Sequence, residues 1–312
     1  MPPASNSSTS FQSQFHQRWG GVQDPHVRAL AWLLCAPDLL DANEAQWQGR
    51  IASLDGAFLR ADLDAWLHAL DREPAVLHHY LGTQAFVRLG RYAEKLVAFY
   101  LAQQGLLVAH GVQVRSENRT IGEFDFLLRM GGRLLHWEFA TKFYLLESSG
   151  HGHDADYFVG PNLADTLGAK MRKIFDRQLK LSEHPAAWAQ LPGPVDSAQA
   201  LVKGWLFYHD GLHYMQAAGT SAAHCRGFWL SLAESDRIEG DCHAILPRLD
   251  WLAPASLRPE QTMNKQALQQ TLRDYFSRDA MPLMIATLDV VDGQALERSR
   301  GFIVPDDWHT RA

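Results

Sequence analysis

The sequence predicts an α/β (α+β) fold in which helices flank a central mixed sheet, with an N-terminal helical extension and C-terminal strand additions. Three observations support this prediction. Amphipathic helical stretches come first, strand-like and helical segments alternate through the middle, and more strand candidates follow near the C-terminus. Hydrophobic residues make up 46% of the 312 residues, which is enough for a substantial core.

Composition limits the classes of function. The formal net charge is −6, so no overall basic field attracts nucleic acid, and any polyanion site must be a local patch. The three cysteines form no CxxC pair, which favours buried thiols in a reducing compartment. The N-terminus lacks the pattern of a signal peptide, and no apolar run approaches the roughly 20 residues that span a bilayer. We therefore expect a cytoplasmic protein without a membrane segment.

The N-terminal part of the chain predicts a tail and a helical preface. Residues 1–15 are rich in Ser, Asn and Gln and predict a disordered tail. No flexible linker or internal repeat divides residues 16–312, so we expect a single compact domain. Its preface, 24–87, contains an amphipathic helix that starts after Asp24-Pro25, and two further helical stretches near 57–72 and 74–82.

A longer helix is predicted from Leu89 to Gln104, because Gly105 is a typical C-cap residue. Its apolar positions suit packing on a sheet, and Glu94 lies in its early part. Considered alone, Glu94 is interpreted as a solvent-exposed charge on this helix. The following segment, 106–115, is a strand candidate.

The stretch 121–146 predicts a β-hairpin that turns at Gly131-Gly132. A two-residue loop there pairs Met130 with Arg133, and the same register places Asp125 opposite Glu138. Like charges directly opposite each other destabilise a strand pair unless a cation lies between them. Lys142 shares the strand face of Glu138, because side chains on a strand alternate with period two. The other reading is a surface hairpin whose charges point into water, with Lys142 paired to Glu138.

The next helix is predicted to follow a cap at Asn162 or Asp165. An apolar arc lies beside a basic arc on its helical wheel, an arrangement that suits a helix docked on a sheet and facing a phosphate backbone. An ordinary solvated face explains the charges equally simply. The residues of the basic arc are Lys170, Lys173, Arg177 and Lys180.

The C-terminal extension, 210–312, predicts additions to the sheet. Strand candidates lie within 227–235, 282–291 and 300–305. A helix is predicted to begin just after Pro259, whereas the periodicity of 243–254 does not distinguish loop from strand.

The order helix, strand, carboxylate strand, turn, carboxylate-plus-lysine strand, basic helix, strand resembles the restriction-endonuclease-like core of the PD-(D/E)XK nuclease superfamily. The resemblance covers about 88–209. It matches Asp125 to the superfamily's Asp, Glu138 to its second acid and Glu94 to the acid of the first helix. The usual lysine position is occupied by Ala140, and Lys142 follows two residues later on the same strand face.

A narrower resemblance extends along most of the chain. The phrases DPHVRALAWLL, GEFDFLL, WEFATKFYL, GPNLADTLGAKMRKIFDRQL, AILPRLDWLAP and RGFIVPDDW are similar to an uncharacterised bacterial family, domain of unknown function 1853. This resemblance implies a nuclease-like core and assigns no reaction.

The wider resemblance implies a divalent-metal-dependent nuclease or nuclease-like phosphodiesterase that acts on DNA or RNA. Its Mg²⁺ or Mn²⁺ would be held by Asp125, Glu138 and Glu94, because hard cations prefer carboxylate oxygens. Lys142 would complete the catalytic set with Asp125 and Glu138, and the basic arc would contact the phosphate backbone.

Two alternatives remain open at this point. One is a catalytically inactive protein that uses the same fold to bind nucleic acid or a protein partner, which the lysine position and the acidic charge favour. The other is a zinc hydrolase that uses the loop GHGHDAD, whose His151, His153, Asp154 and Asp156 are possible ligands. The same loop could instead be a polar lid over the site.

Overall fold

The computed structural model describes residues 10–117, 119–147, 155–209 and 217–311. These ranges contain a ten-stranded mixed sheet flanked by helices, which confirms the predicted fold class. Strands of the central core and of the C-terminal extension belong to the same sheet. No helix in these ranges is both long enough and apolar enough to cross a bilayer.

The described chain before the first strand contains five α-helices. They are α1 Phe11–Trp19, α2 Pro25–Cys35, α3 Leu63–Arg72, α4 Ala75–Leu81 and α5 Leu89–Gln103. The Asp24 side chain caps α2 by accepting from the backbone N–H of His26 and Val27. After α5, Gly105 adopts a φ of +66°, as expected for a residue just beyond a helix C-cap.

The predicted disordered tail is wrong for residues 11–15, which belong to α1. Ser10 caps this helix, and Phe15 and Trp19 are 3% and 1% exposed. Burial of two aromatic side chains on one helix face outweighs the polar composition of the segment. Residues 1–9 lie outside the described part of the chain.

The sheet runs in the order β1-β2-β3-β5-β6-β10-β9-β7, with β4 beside β3 and β8 beside β10. The central pairs β3-β5, β5-β6 and β6-β10 are parallel, and the outer pairs are antiparallel. The strands are β1 Leu107–Ser116, β2 Arg119–Met130, β3 Arg133–Leu146, β4 Phe158–Val159, β5 Ser197–His209, β6 Cys225–Ser231, β7 His243–Ile245, β8 Ser256–Leu257, β9 Leu283–Val291 and β10 Gln294–Val304.

The hairpin of β2 and β3 turns at Gly131 and Gly132 as predicted, with φ angles of +56° and +82°. Positive φ at both turn residues explains the use of two glycines. The register follows the prediction from Met130–Arg133 to Phe126–Trp137 and ends there. The two strands therefore separate just before the positions of Asp125 and Glu138.

The two faces of β3 pack against different layers. Trp137, Phe139 and Phe143 belong to the main core, which also contains the buried faces of the N-terminal helices. Ala140 and Tyr144 belong to a second core with the helix that follows β4. Glu138 has the parity of this second face, because strand side chains alternate.

The basic helix is shorter than predicted. It is α6, Leu167–Asp176, and Thr166 caps it by accepting from the backbone N–H of Ala169. Asn162 and Asp165 are therefore not its caps. A 3₁₀ segment, 178–183, and the short α7, Pro185–Trp188, follow it.

The C-terminal helix also begins later than predicted. It is α8, Lys265–Phe276, whose cap is Asn264, whereas Pro259 starts a single 3₁₀ turn. The Asn264 side chain accepts from the N–H of Ala267, a stronger start than the proline offers. The ambiguous segment 243–254 contains β7 and a 3₁₀ turn, 248–251.

Candidate functional site

A cleft of about 610 Å³ lies between β2 and the chain that follows α6. Its floor is formed by β2, and its wall is formed by the end of α6 and the 3₁₀ segment 178–183. The lining residues are Arg91, Thr120, Ile121, Gly122, Glu123, Asp125, Lys173, Arg177, Gln178, Lys180, Leu181 and His184.

Close packing at Gly122 shapes one end of this cleft. A Cβ at this position would lie 2.9 Å from Cδ1 of Leu181, closer than carbon atoms approach in folded proteins. Glycine therefore lets the 3₁₀ segment lie directly on β2.

Asp125 lies on the cleft floor where β2 and β3 separate. Its Oδ2 accepts a hydrogen bond from the backbone N–H of Phe139, at 2.9 Å. This carboxylate thus satisfies a β3 amide beyond the last backbone pair of the hairpin. The hydrogen bond fixes the carboxyl group between the strand and the cleft.

Glu138 is almost completely buried beside the cleft, at 1% exposure. Its Oε1 lies 2.8 Å from Nε2 of His136, and its Oε2 accepts a hydrogen bond from Nε2 of Gln178. Burial lowers the pKa of His136 to about 4, so the imidazole is neutral at physiological pH. Both Glu138 oxygens therefore have protein partners.

Asp125 and Glu138 are coupled, as the predicted opposition implies. Burial and the charge of Glu138 raise the pKa of Asp125 to about 8. Burial also raises the pKa of Glu138 to about 8, while Lys170 and a hydrogen bond with Asp125 act in the opposite direction. At neutral pH the pair of carboxyls retains a proton, because the surroundings do not fully compensate the negative charges of two ionised carboxylates.

Three carboxylates meet at the floor of the cleft. One carboxylate oxygen from each of Glu94, Glu123 and Asp125 lies within 4.8 Å of the other two. Arg91 links two of them, with Nη1 2.7 Å from Glu123 and 3.1 Å from Glu94. The cluster combines two of the metal ligands that the sequence suggested with a third carboxylate, Glu123.

Glu123 was missed in the sequence, although the signal was present. It precedes Asp125 by two residues, so a strand places both on one face. Glu94 reaches the cluster from α5, where it is 7% exposed and accepts from Nε2 of His110 at 2.9 Å. Glu138 lies outside this cluster and is connected to it through Asp125.

Lys142 forms an ion pair at a different position. Its Nζ lies 3.5 Å from Oδ2 of Asp165, and the same oxygen accepts from the hydroxyl of Tyr144 at 2.9 Å. Burial lowers the pKa of Lys142. The structure thus places the ammonium of Lys142 against Asp165.

Lys170 connects to the carboxylates through Gln178. Its Nζ lies 3.5 Å from Oε1 of Gln178, whose amide nitrogen donates to Glu138. Burial, then Lys142 and Lys173, lower the pKa of Lys170, whereas the charges of Asp125 and Glu138 raise it. Lys170 is therefore half-buried within the electrostatic reach of both acids.

The other members of the basic arc lie on the cleft wall. Lys173, Arg177 and Lys180 are exposed and line the cleft, together with Arg91 on the opposite side. These three side chains come from α6, from its C-cap and from the 3₁₀ segment. Three of the four predicted side chains thus line one wall although the helix is interrupted, and Lys170 does not line it.

The His-rich loop contributes little to the described structure. His151, His153 and Asp154 lie outside the described residues. Asp156 is described, and both its oxygens bind the guanidinium of Arg172, at 2.9 and 3.0 Å. This ion pair links the loop to α6.

Fold and site define a mixed α/β protein in which a cleft combines a carboxylate floor with a cationic wall. The family model described as a domain of unknown function (DUF1853) matches residues 28–304, and the chain belongs to this family. No curated protein and no solved structure matches the chain.

Proposed function

We propose that the protein is a divalent-metal-dependent phosphodiesterase that cleaves nucleic acid. The observation that carries the proposal is the shared cleft, in which Glu123 and Asp125 form the floor and Lys173, Arg177 and Lys180 form the wall. An acidic floor alone repels a phosphate. A cation bound to that floor would turn the whole cleft into a site for a phosphodiester.

The order of elements supports this proposal. A helix with Glu94, the strands with Asp125 and Glu138, a basic helix and a parallel strand follow one another along the chain. This order resembles the core of the PD-(D/E)XK nuclease superfamily. The two strands separate at the two acids, and the Asp125 side chain lines the cleft at this position.

The donor set suits Mg²⁺ or Mn²⁺. Oxygen ligands lie roughly 2.0–2.1 Å from Mg²⁺, so two ligands on opposite sides are about 4 Å apart. The three carboxylate oxygens lie within 4.8 Å of one another, a span close to that distance. Glu94, Glu123 and Asp125 would hold the ion, and it would polarise a phosphate oxygen and acidify a bound water.

The other residues would support the metal ligands and bind the substrate. Glu138 would position the Asp125 carboxyl and share its proton, because the two acids are electrostatically coupled. Lys170 would stabilise the negative charge that develops on phosphate, a role that the sequence assigned to Lys142. Lys173, Arg177 and Lys180 would bind flanking phosphates.

A catalytically inactive, nuclease-fold binding protein is the second candidate. The ion pair of Lys142 with Asp165 favours this candidate. Lys142 is the lysine nearest to Ala140, which occupies the superfamily's usual lysine position, and the ion pair engages its ammonium group. Such a protein would bind nucleic acid or a protein partner through the basic wall without cleaving it.

Cleavage of labelled DNA and RNA with Mg²⁺ or Mn²⁺ separates the two candidates. We expect products from the wild-type protein, loss of products with EDTA, and at least a hundredfold slower cleavage by Asp125→Asn. The matched control is Asp62→Asn, since Asp62 is an exposed acid paired with Arg60. Binding without metal-dependent products would favour the inactive protein.

A further inference from the structure

Among the tryptophans of the described residues, Trp188 alone has a solvent-exposed side chain. Its side chain is 63% exposed, whereas each of the other tryptophans is buried or half-buried. Within the described residues its indole takes part in no ring contact or hydrogen bond. The face of this aromatic ring is therefore accessible for stacking on a ligand.

Trp188 lies close to the proposed cleft. It ends α7, four residues after His184, which lines the cleft. Four residues of helix advance roughly 6 Å along the axis. The preceding Ala187 is fully buried in a cluster with Phe124 and Leu127 of β2 and with Leu181 of the cleft wall, so α7 is anchored to the elements that form the cleft.

The cleft offers different chemistry along its length. Lys173, Arg177 and Lys180 provide cations for phosphates, and Ile121, which is 40% exposed, forms an apolar end with Leu181. A volume of about 610 Å³ lies within the roughly 300–1,000 Å³ range of small-ligand pockets, so the cleft has room for nucleotide-sized groups.

We infer that the indole of Trp188 stacks on an unpaired base, so that the substrate is a single-stranded segment of nucleic acid. A basic groove beside an aromatic platform is the arrangement that binds single strands, since every base has a face for stacking. Bases inside a duplex already stack on each other and present only their edges. This inference rests on the proposed function and specifies its substrate class.

Fluorescence anisotropy of labelled oligothymidylate tests the inference, with a hairpin duplex for comparison. Ca²⁺ is used in place of Mg²⁺, because it binds carboxylates without the strict octahedral geometry of Mg²⁺, so that the acidic floor is neutralised and cleavage is minimised. Wild type should bind the single strand more tightly. Trp188→Leu should weaken single-strand binding about tenfold or more and leave duplex binding unchanged, whereas Trp188→Phe should retain most of the affinity.

The salt dependence separates stacking from charge. Trp188→Leu should keep the wild-type slope of affinity against salt, and Lys180→Ala should reduce that slope by about 1. Equal single-strand affinity of Trp188→Leu and wild type, or a wild-type preference for duplex, would overturn the stacking role and leave the cleavage proposal intact. Absence of any nucleic-acid binding by wild type would overturn both.

Discussion

Replacing Asp125 with asparagine should make the metal-free protein more stable, although it removes a proposed metal ligand. The folded protein raises the pKa of Asp125 from 3.8 to about 8, so ionising this carboxyl opposes folding. Each tenfold change in acidity corresponds to about 1.4 kcal/mol, which sets a ceiling of roughly 4 kcal/mol at pH 7. Asparagine is neutral, and its carbonyl oxygen can still accept the hydrogen bond from Phe139.

The measurable gain should be smaller than this ceiling. Asp125 is only partly buried and shares a proton with Glu138, so we expect about 1–2 kcal/mol. That free energy corresponds to a rise in Tm of roughly 1.5–3 °C for a chain of this length. Because the pKa is raised on folding, the carboxyl favours the folded state most below pH 3.8 and loses that contribution as pH approaches 8. The gain from Asp125→Asn should therefore grow with pH.

Thermal unfolding in EDTA across this pH range measures the effect. The control is Asp62→Asn, because Arg60 lowers the pKa of Asp62 and the same substitution there should give no gain. A decrease in Tm for Asp125→Asn, or a gain that shrinks as pH rises, would refute the electrostatic reasoning.

Three further predictions follow from the site. As pH is raised towards about 8, the affinity for Mn²⁺ should increase by up to about tenfold per pH unit, and above that pH it should level off. The reason is that a carboxyl ligand must lose its proton before it binds the ion, and a calorimetric affinity that does not change with pH would contradict this. Lys170→Met should slow cleavage about a hundredfold with unchanged oligonucleotide affinity, whereas Lys142→Met should slow it less; the reverse order in kcat would return the catalytic role to Lys142. Gly122→Val should destabilise the protein by about 1–3 kcal/mol, because its side chain collides with Leu181, and an unchanged urea midpoint would disprove this contact.

The hairpin could be predicted because its signals are local. Gly131-Gly132 fixes the turn, and the turn fixes the register down to Phe126 and Trp137. Extension of the same register predicted that Asp125 lies near Glu138, and the two carboxyls interact in the structure. The separation of the strands at these acids could not be predicted, because it depends on the hydrogen bond of Asp125 to the Phe139 amide and on layers packed from distant parts of the chain.

The positions of the cations required the tertiary structure. A helical wheel assigned Lys170 and Lys173 to one arc, but only packing shows Lys170 half-buried near the acids and Lys173 on the cleft wall. The partner of Lys142 is Asp165, which lies in the segment before α6. Sequence spacing does not reveal a contact between two such separate elements.

The helix limits were affected by competing caps. Thr166 starts α6 in place of Asn162 or Asp165, and Asn264 starts α8 well after Pro259. Several residues near each start have side chains that can cap, and tertiary packing selects one.

Calorimetric titration of the metal-free protein with Mn²⁺ tests the central claim most directly. Wild type should bind at the carboxylate floor, Asp125→Asn should abolish that binding, and Glu138→Gln should weaken it, because Glu138 is coupled to the floor through Asp125. Asp62→Asn should bind as wild type does. Undiminished Mn²⁺ binding by both Asp125→Asn and Glu138→Gln would contradict the proposed metal site.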